Sequence, residues 1–425
     1  MSITQNEKIS QVTDETLVVG IDISSETHYA RAFDFRGREV GKVFKFCSDI
    51  EGFADFTAWI DKVKAQTSKT SVIIGAEPTA EYWFTLAEYL KDNELKFVFV
   101  SPMHVKRSKE LDDNHPSKTD SKDPKTIAKL VIEGRYLEPY IPEDKYAELR
   151  VMNNNRLRVQ KELNAISNRI TRWFAIYFPE YKRAFAHWSC ESSIILLQNA
   201  SLPSDILTLD AEKINKLWRE KKLRAVGIKR AKAVVNMAQI SVGVKQGENA
   251  ARYEMNMLLE DYLRKSEQLK TILTILETLV IQIPNVEKLL AIKGVGILTA
   301  VSFMAEVGDI SRFKSPKQIQ KLAGYAICEN SSGKHKGRTS ISKRGRKRLR
   351  HALFQVVMPL IRSNSEFRDL HHYYTTRQKN ALKGKQSVVA LACKLIRVFW
   401  VILTKGVDYS SEKLCSDITR EQIAA

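Results

Sequence analysis

From Thr16 onward the apolar positions fall in short blocks rich in β-branched and aromatic residues: Leu17-Val18-Val19-Gly20-Ile21, then His28 to Phe35, then Val40 to Phe46. Glycine-containing turns such as Arg36-Gly37-Arg38 separate them, which predicts three strands in a meander. An amphipathic stretch from Gly52 to Lys64 leads to Val72-Ile73-Ile74, a helical pattern from Tyr82 to Leu90, and Phe97-Val98-Phe99-Val100. The predicted order is βββαβαβ.

After Pro142 the period changes. Leu149, Met152, Val159, Leu163, Ile166, Ile170, Trp173 and Tyr177 fall on the a and d positions of one heptad register, broken only at Arg156. A second register runs through Leu259, Tyr262, Leu269, Leu273, Leu276, Val280 and Ile283, with Ser266 as its break. These predict two long helices that pair either with each other, as a hairpin within one subunit, or with another chain as an oligomer-forming coiled coil. Between them, Tyr181 to Ala251 is mostly helical in pattern and offers no chemical motif. The remainder, from near Pro284, reads as helical with breaks at Gly294-Val295-Gly296, Gly308, Gly324 and Ser331 to Gly345. Three domains are expected, over 1–142, 143–284 and 285–425, in a chain of 425 residues that is too long for one core.

Charge narrows the function. Lys and Arg number 68 against 49 acids, a formal net charge of +19. That excess favours polyanionic partners, nucleic acid first, and the cations cluster at Lys334 to Arg350 and around Arg219 to Lys232. The five cysteines are scattered with no Cys-x-x-Cys pair, which indicates neither a disulfide framework nor a structural zinc site and fits a reducing cytoplasm. The polar stretch Met1 to Glu15 lacks an apolar signal core, and Ser387 to Lys405, interrupted by Lys394 and Arg397, reads as a buried helix rather than a membrane span.

Two constellations carry candidate chemistry. Asp22 ends a strand whose neighbours Val18, Val19 and Ile21 are apolar, and an acid there is costly unless paired or bound to a metal. Glu77 repeats the arrangement after Val72-Ile73-Ile74-Gly75-Ala76. The βββαβαβ order is that of the ribonuclease-H-like nucleases, in whose sheet these two strand ends are neighbours. Asp120 and Asp123 stand three apart at the start of a helical pattern through Ile127 to Ile132 and share one face if the helical turn includes both. Four carboxylates so placed suit Mg²⁺, which takes oxygen ligands and can clamp the attacking and leaving oxygens of a phosphodiester. Asp123 before Pro124 serves equally as a helix N-cap.

The second constellation is cationic. Ile292-Lys293-Gly294-Val295-Gly296 opening a helix resembles a helix-hairpin-helix turn, in which Gly294 and Gly296 let backbone amides approach a phosphate; a plain turn between two helices explains the same residues. Asn330-Ser331-Ser332-Gly333 then runs into Lys334, Lys336 and Arg338, followed by Lys343, Arg344 and Arg346, a set able to stabilise developing phosphate charge. Serine needs its proton drawn off or its target strongly polarised before it attacks, and no base lies nearby in sequence. From composition alone a Ser-Gly turn in a phosphate-binding loop is the plainer reading.

Gly20-Ile21-Asp22, Gly75-Ala76-Glu77-Pro78-Thr79, Ser117-Lys118-Thr119-Asp120-Ser121-Lys122-Asp123, Leu322-Ala323-Gly324, Asn330-Ser331-Ser332-Gly333 and Ile341-Ser342-Lys343-Arg344-Gly345 together resemble, in order along the chain, the DEDD-type insertion-sequence transposases, the Piv-like family of RNA-guided bridge recombinases. The resemblance implies an α/β RuvC-like domain, coiled-coil dimerisation helices and an all-α C-terminal transposase domain. It implies a dimer to tetramer acting in the cytoplasm, in association with the nucleoid, on double-stranded donor and target DNA with a non-coding bridge RNA. It implies Asp22, Glu77, Asp120 and Asp123 as the Mg²⁺ tetrad, and Ser332, with Ser331 one register away, as the nucleophile that forms a phosphoserine link to DNA. The chain departs from the pattern at Ala80 and Pro124, where many members carry Gly and Ala, and Tyr181 to Ala251 is longer than in compact members. A Mg²⁺-dependent RuvC-like junction-resolving nuclease is the rival enzyme, and an RNA-binding scaffold the non-enzymatic one.

Overall fold

The computed structural model describes residues 4–112, 123–224, 226–329, 331–332, 335–337 and 339–424. The chain divides into two compact units at Ile141/Pro142.

In the first unit α1 (Gln5–Ile9) precedes β1 (Thr16–Asp22), β2 (Thr27–Phe33), β3 (Phe44–Cys47), α2 (Ile50–Thr67), β4 (Ser71–Ala76), α3 (Trp83–Asp92), β5 (Lys96–Val100), α4 (Pro102–Asp112), α5 (Asp123–Ile132) and β6 (Tyr136–Leu137). The sheet order is β3-β2-β1-β4-β5-β6. Strands β1, β4 and β5 run parallel, whereas β2, β3 and β6 pair antiparallel to their neighbours. Helices cover both faces, so central β1 is buried from Thr16 to Ile21, which is why its sequence is a continuous apolar run. Phe53, Phe56 and Leu86 of α2 and α3 fill one core, against Leu17, Val19 and Ile21. Ile127, Ala128 and Val131 of α5 fill the other, against Val18 and Ile73.

The meander departs from expectation at its second turn. The second strand stops at Phe33 and the third begins at Phe44, because Asp34 accepts the Arg36 and Arg38 amides to close a turn and Gly41 takes φ +86°. The antiparallel β6 adds a strand that the apolar pattern does not predict, because two residues are too few to carry a period.

The second unit begins with α6 (Asp144–Tyr177), followed by α7 (Tyr181–Ala184), α8 (Glu191–Asn199), α9 (Pro203–Glu220), α10 (Ile228–Gln239) and α11 (Glu248–Ile281). Helices α6 and α11 pair antiparallel within the chain: Trp173 Nε1 donates to Ala251 O (2.9 Å), Lys265 pairs with Glu162, and Lys145 donates to Gln282 O. Near the turn, Ile166, Ile170 and Trp173 share a core with Met255 and Leu259 and with the short helices between, whose Phe185, Ile206 and Trp218 are buried. At the other end, Leu149, Leu276 and Val280 belong to the C-terminal core. Arg156, the break in the first seam, is half-buried with its Nε on Asn153 Oδ1.

That core is completed by α12 (Val286–Leu290), α13 (Ile297–Val307), α14 (Pro316–Leu322), α15 (Lys347–Ser363), α16 (Ser365–Thr376), α17 (Gly384–Lys405) and α18 (Ser411–Ala424), and between α14 and α15 run the short strands β7 (Ile327–Cys328), β8 (Ser331–Ser332), β9 (His335–Lys336) and β10 (Ser340–Ile341). Among the described residues α17 alone is long and apolar enough to cross a membrane, and its Leu391, Leu395 and Phe399 are buried in this core.

Candidate active site

The carboxylates are gathered by glycine. Gly20 of β1 and Gly75 of β4 are opposite each other in parallel register, on the face that α5 covers. A Cβ on Gly20 would lie 1.9 Å from Pro124 O, and one on Gly75 2.5 Å from Val131 Cγ2. The helix therefore lies directly on bare backbone. Side chains alternate along a strand, so Asp22 and Glu77, two residues beyond these glycines, share that face at adjacent strand ends. The first turn of α5, opening at Asp123, comes down beside them.

Electrostatics tie three side chains together. The Lys109 ammonium of α4 ion-pairs with the Asp123 carboxylate. Burial pushes the Glu77 carboxyl above the usual carboxylate range; Lys109 works against that shift and the Asp123 charge adds to it. Glu77 and Asp123 thus already share a cation, and their carboxylate oxygens are the donors Mg²⁺ prefers. Asp120 lies outside the described residues. Among the described residues no three His, Cys, Asp or Glu side chains close on a single point. Pro124 follows Asp123 in the first helical turn, where its missing amide costs nothing.

Ala80 explains one departure in sequence. It takes φ +45°, in the left-handed region where an alanine is strained and a glycine is not. Ala80→Gly is expected to raise stability by about 0.5–1 kcal/mol in thermal melting; an unchanged or lower midpoint would contradict the strain.

The serines sit in the second unit. Strands β8 and β9 pair Ser331 with Lys336 and Ser332 with His335, placing both serines in a short hairpin. The ladder of β7 with β10, pairing Cys328 with Ser340, forms its stem. Two glycines close the base: Gly324 (φ +76°), whose Cβ would meet Arg350 Nη1 at 2.7 Å, and Gly345 (φ +151°), whose Cβ would meet Leu322 O at 2.3 Å. Lys343 N and Arg346 N donate to Gly324 O and Leu322 O, tying the stem to the end of α14 and the start of α15. The fixed base leaves the serine segment as the far end of a braced projection.

The cations divide. Lys343 and Arg344 are exposed beside the stem. Arg346 is instead turned inward, donating to Glu306 O (2.8 Å) and facing the nearly buried Glu306 carboxylate. Lys336 is placed by its backbone in β9, whereas Lys334 and Arg338 lie outside the described residues. In the turn before α13, Gly294 has φ +94° and its Cβ would strike Leu360 and Ser363 of α15, so packing within the chain already demands glycine. Gly296 caps α13 in extended conformation with nothing within 4 Å of a Cβ. Of the two, only Gly296 offers an open approach.

Two family models match this chain. A DEDD-type IS110 transposase model covers residues 19–179, and a model of the IS116/IS110/IS902 transposase family covers 286–372. The chain belongs to the IS110/IS116 family of transposases. The first match contains all four candidate carboxylates and the second contains the serine hairpin and the Gly294–Gly296 turn. Among relatives, an insertion element IS110 protein of Streptomyces coelicolor is 22% identical over 94% of this chain and 96% of its own length. The IS116 protein of Streptomyces clavuligerus is 23% identical over 67% of this chain and 71% of its own. A shorter match, 32% identical over 29% of this chain and 34% of the relative, is to the transposase of insertion sequence element IS1111A from Coxiella burnetii. As an IS110-family transposase the chain is a DNA-recombining enzyme of a mobile element, and DEDD-type domains of this kind depend on divalent metal.

Sequence reasoning missed Lys109, Gly20 and Gly75 as parts of the carboxylate site. The glycines stood in the quoted motifs, and a glycine two residues before an acid on each of two neighbouring strands was the signal available. Lys109 had none, since its role depends on where α4 folds.

Proposed function

We propose that this transposase cuts, exchanges and rejoins DNA strands through a phosphoserine intermediate formed by Ser332, with Asp22, Glu77, Asp120 and Asp123 as the acidic tetrad. The braced serine hairpin beside exposed Lys343 and Arg344 is the observation that carries this reading. In the first step the Ser332 oxygen bonds to phosphorus, the bond from phosphorus to one bridging deoxyribose oxygen breaks, and the serine proton ends on the departing sugar hydroxyl. Rejoining reverses this with a different sugar hydroxyl, so the number of phosphate ester bonds is conserved and no external energy source is needed. Lys343 and Arg344 lower the cost of charge developing on the phosphate. Asp22, Glu77, Asp120 and Asp123 would hold Mg²⁺, which when bound would stabilise that charge further.

Lacking any base-reading motif, the chain contacts backbone, and site choice is delegated to pairing with a bridge RNA. The three functional segments are the carboxylate domain to residue 142, the helical region to 284 and the serine domain beyond it. The working assembly is a dimer to tetramer, which lets the tetrad and the serine come from different protomers. It acts in the cytoplasm on nucleoid DNA.

The test is a covalent-adduct assay with RNA transcribed from the element's flanks, Mg²⁺ and end-junction DNA under denaturing analysis. A protein–DNA band is expected from the parent and from Ser331→Ala, and none from Ser332→Ala. Cleaved DNA without an adduct in any lane would overturn the serine step in favour of a metal-only nuclease.

A further inference from the structure

The helices inserted between α6 and α11 lie between the two family-matched ranges, 19–179 and 286–372. They hold a local copy of the turn before α13. Val226-Gly227-Ile228-Lys229-Arg230-Ala231 matches Val295-Gly296-Ile297-Leu298-Thr299-Ala300 at Val, Gly, Ile and Ala. The backbones match as well. Gly227 and Gly296 are both extended N-caps without a side-chain cap. Arg230 N and Ala231 N return to Gly227 O at 2.9 and 3.1 Å, as Thr299 N and Ala300 N return to Gly296 O at 2.9 and 3.3 Å. Val226 and Val295 are buried beneath each turn, and Ala231 and Ala300 are fully buried in each helix.

What differs is charge. The turn between α9 and α10 carries Lys221, Lys222 and Arg224, and α10 opens with Lys229, Arg230 and then Lys232, all exposed. Among the described residues none of these six makes an ion pair, and Glu220 is the sole acid between Arg219 and Lys232. The Arg219 guanidinium folds back to donate to Leu223 O (3.0 Å), with Nη2 lying 3.2 Å from where a Gly227 Cβ would be. Cations thus crowd the amino end of α10, whose first turn contains no acid. A helix amino terminus repels positive charge, so the grouping is self-opposed in the free protein and relieved when an anion sits among these side chains.

We propose that this inserted module is a second nucleic-acid-binding surface, gripping the phosphate backbone of a duplex through Lys221, Lys222, Arg224, Lys229, Arg230 and Lys232. Contacts from these cations to phosphate oxygens fix register without specifying sequence, which makes it a positioning contact rather than a sequence reader. It deepens the transposase reading by adding a contact remote in sequence from the proposed chemistry, and it stands apart from the serine and metal steps.

Its test uses the full chain in EDTA and reads binding rather than cleavage, so failure of the catalytic reading leaves the result interpretable. Binding of duplex DNA and of duplex RNA of the same sequence is followed by fluorescence anisotropy across a salt series. For Lys222→Gln, Arg224→Gln, Lys229→Gln and Lys232→Gln combined, affinity at about 0.1 M salt should fall about tenfold or more. The slope of log affinity against log salt should become shallower by about 3 to 4. Loss on DNA, on RNA or on both supports the proposal and identifies the duplex. Unchanged affinity and slope on both would overturn it, as would an equal loss when Lys42, Lys62, Lys405 and Lys413 are neutralised instead. If the combined variant melts early, Lys222→Gln with Lys229→Gln is read the same way, against an expected slope change of about 2.

Discussion

Glu77→Gln and Asp123→Asn are each expected to reduce DNA strand cleavage by about a thousandfold, equivalent to about 4 kcal/mol of transition-state stabilisation, while the protein remains folded. Both side chains lie where a cation already sits: Lys109 pairs with Asp123 and is felt at Glu77. Glu77 carries a further signature. Its carboxyl titrates above the ordinary range because burial disfavours its charge. A raised carboxyl favours the fold while protonated, and that contribution is lost as pH climbs through the folded-state value. At neutral pH the charged Glu77 is therefore a cost that Gln removes. Thermal melting at neutral pH should show Glu77→Gln at or above the parent midpoint, with the advantage shrinking in acid. A variant that lost cleavage and melted lower would mean that Glu77 supports the fold rather than the chemistry.

Gly20→Ala should have the largest effect on stability, about 3 kcal/mol or more. The added Cβ would lie 1.9 Å from Pro124 O and 3.0 Å from Ala128 N, both backbone atoms that no rotamer change can move. Relief requires α5 to lift from β1, which carries Asp123 away from Asp22 and Glu77, so cleavage should fall together with the melting temperature. Gly384→Ala is the control, since nothing lies within 4 Å of its Cβ. If Gly20→Ala melts like Gly384→Ala, the close seating of α5 on the sheet is wrong, and with it the reason Asp123 reaches the strand ends.

Much of the first unit could be read from the chain alone. The apolar blocks located five of the six strands, and acids at Asp22 and Glu77 broke an otherwise hydrophobic pattern where burial penalises charge. Errors fell where local backbone geometry outweighs periodicity, as at Gly41, and where an element was too short to carry a period, as in β6 and in the strands of the serine hairpin. The inserted helices were legible as helices but not as a surface, since seven cations in a stretch of sequence acquire direction only when a turn brings them together.

The chain alone marked the five longer strands of the sheet and the two long helices, the identity of the candidate carboxylates and serines, and the charge that calls for nucleic acid. Those properties are local or additive, set by side-chain period, residue chemistry and summed charge. Tertiary structure alone decided that α6 and α11 answer each other within one chain, that Lys109 stands among the acids, and that Arg346 faces Glu306 rather than solvent. It also decided why Gly20, Gly75, Gly324 and Gly345 must be glycine, because each meets atoms from an element distant in sequence or folded back upon it. Such contacts depend on where elements dock, and docking is set by the packing of whole surfaces, which no short window of sequence contains.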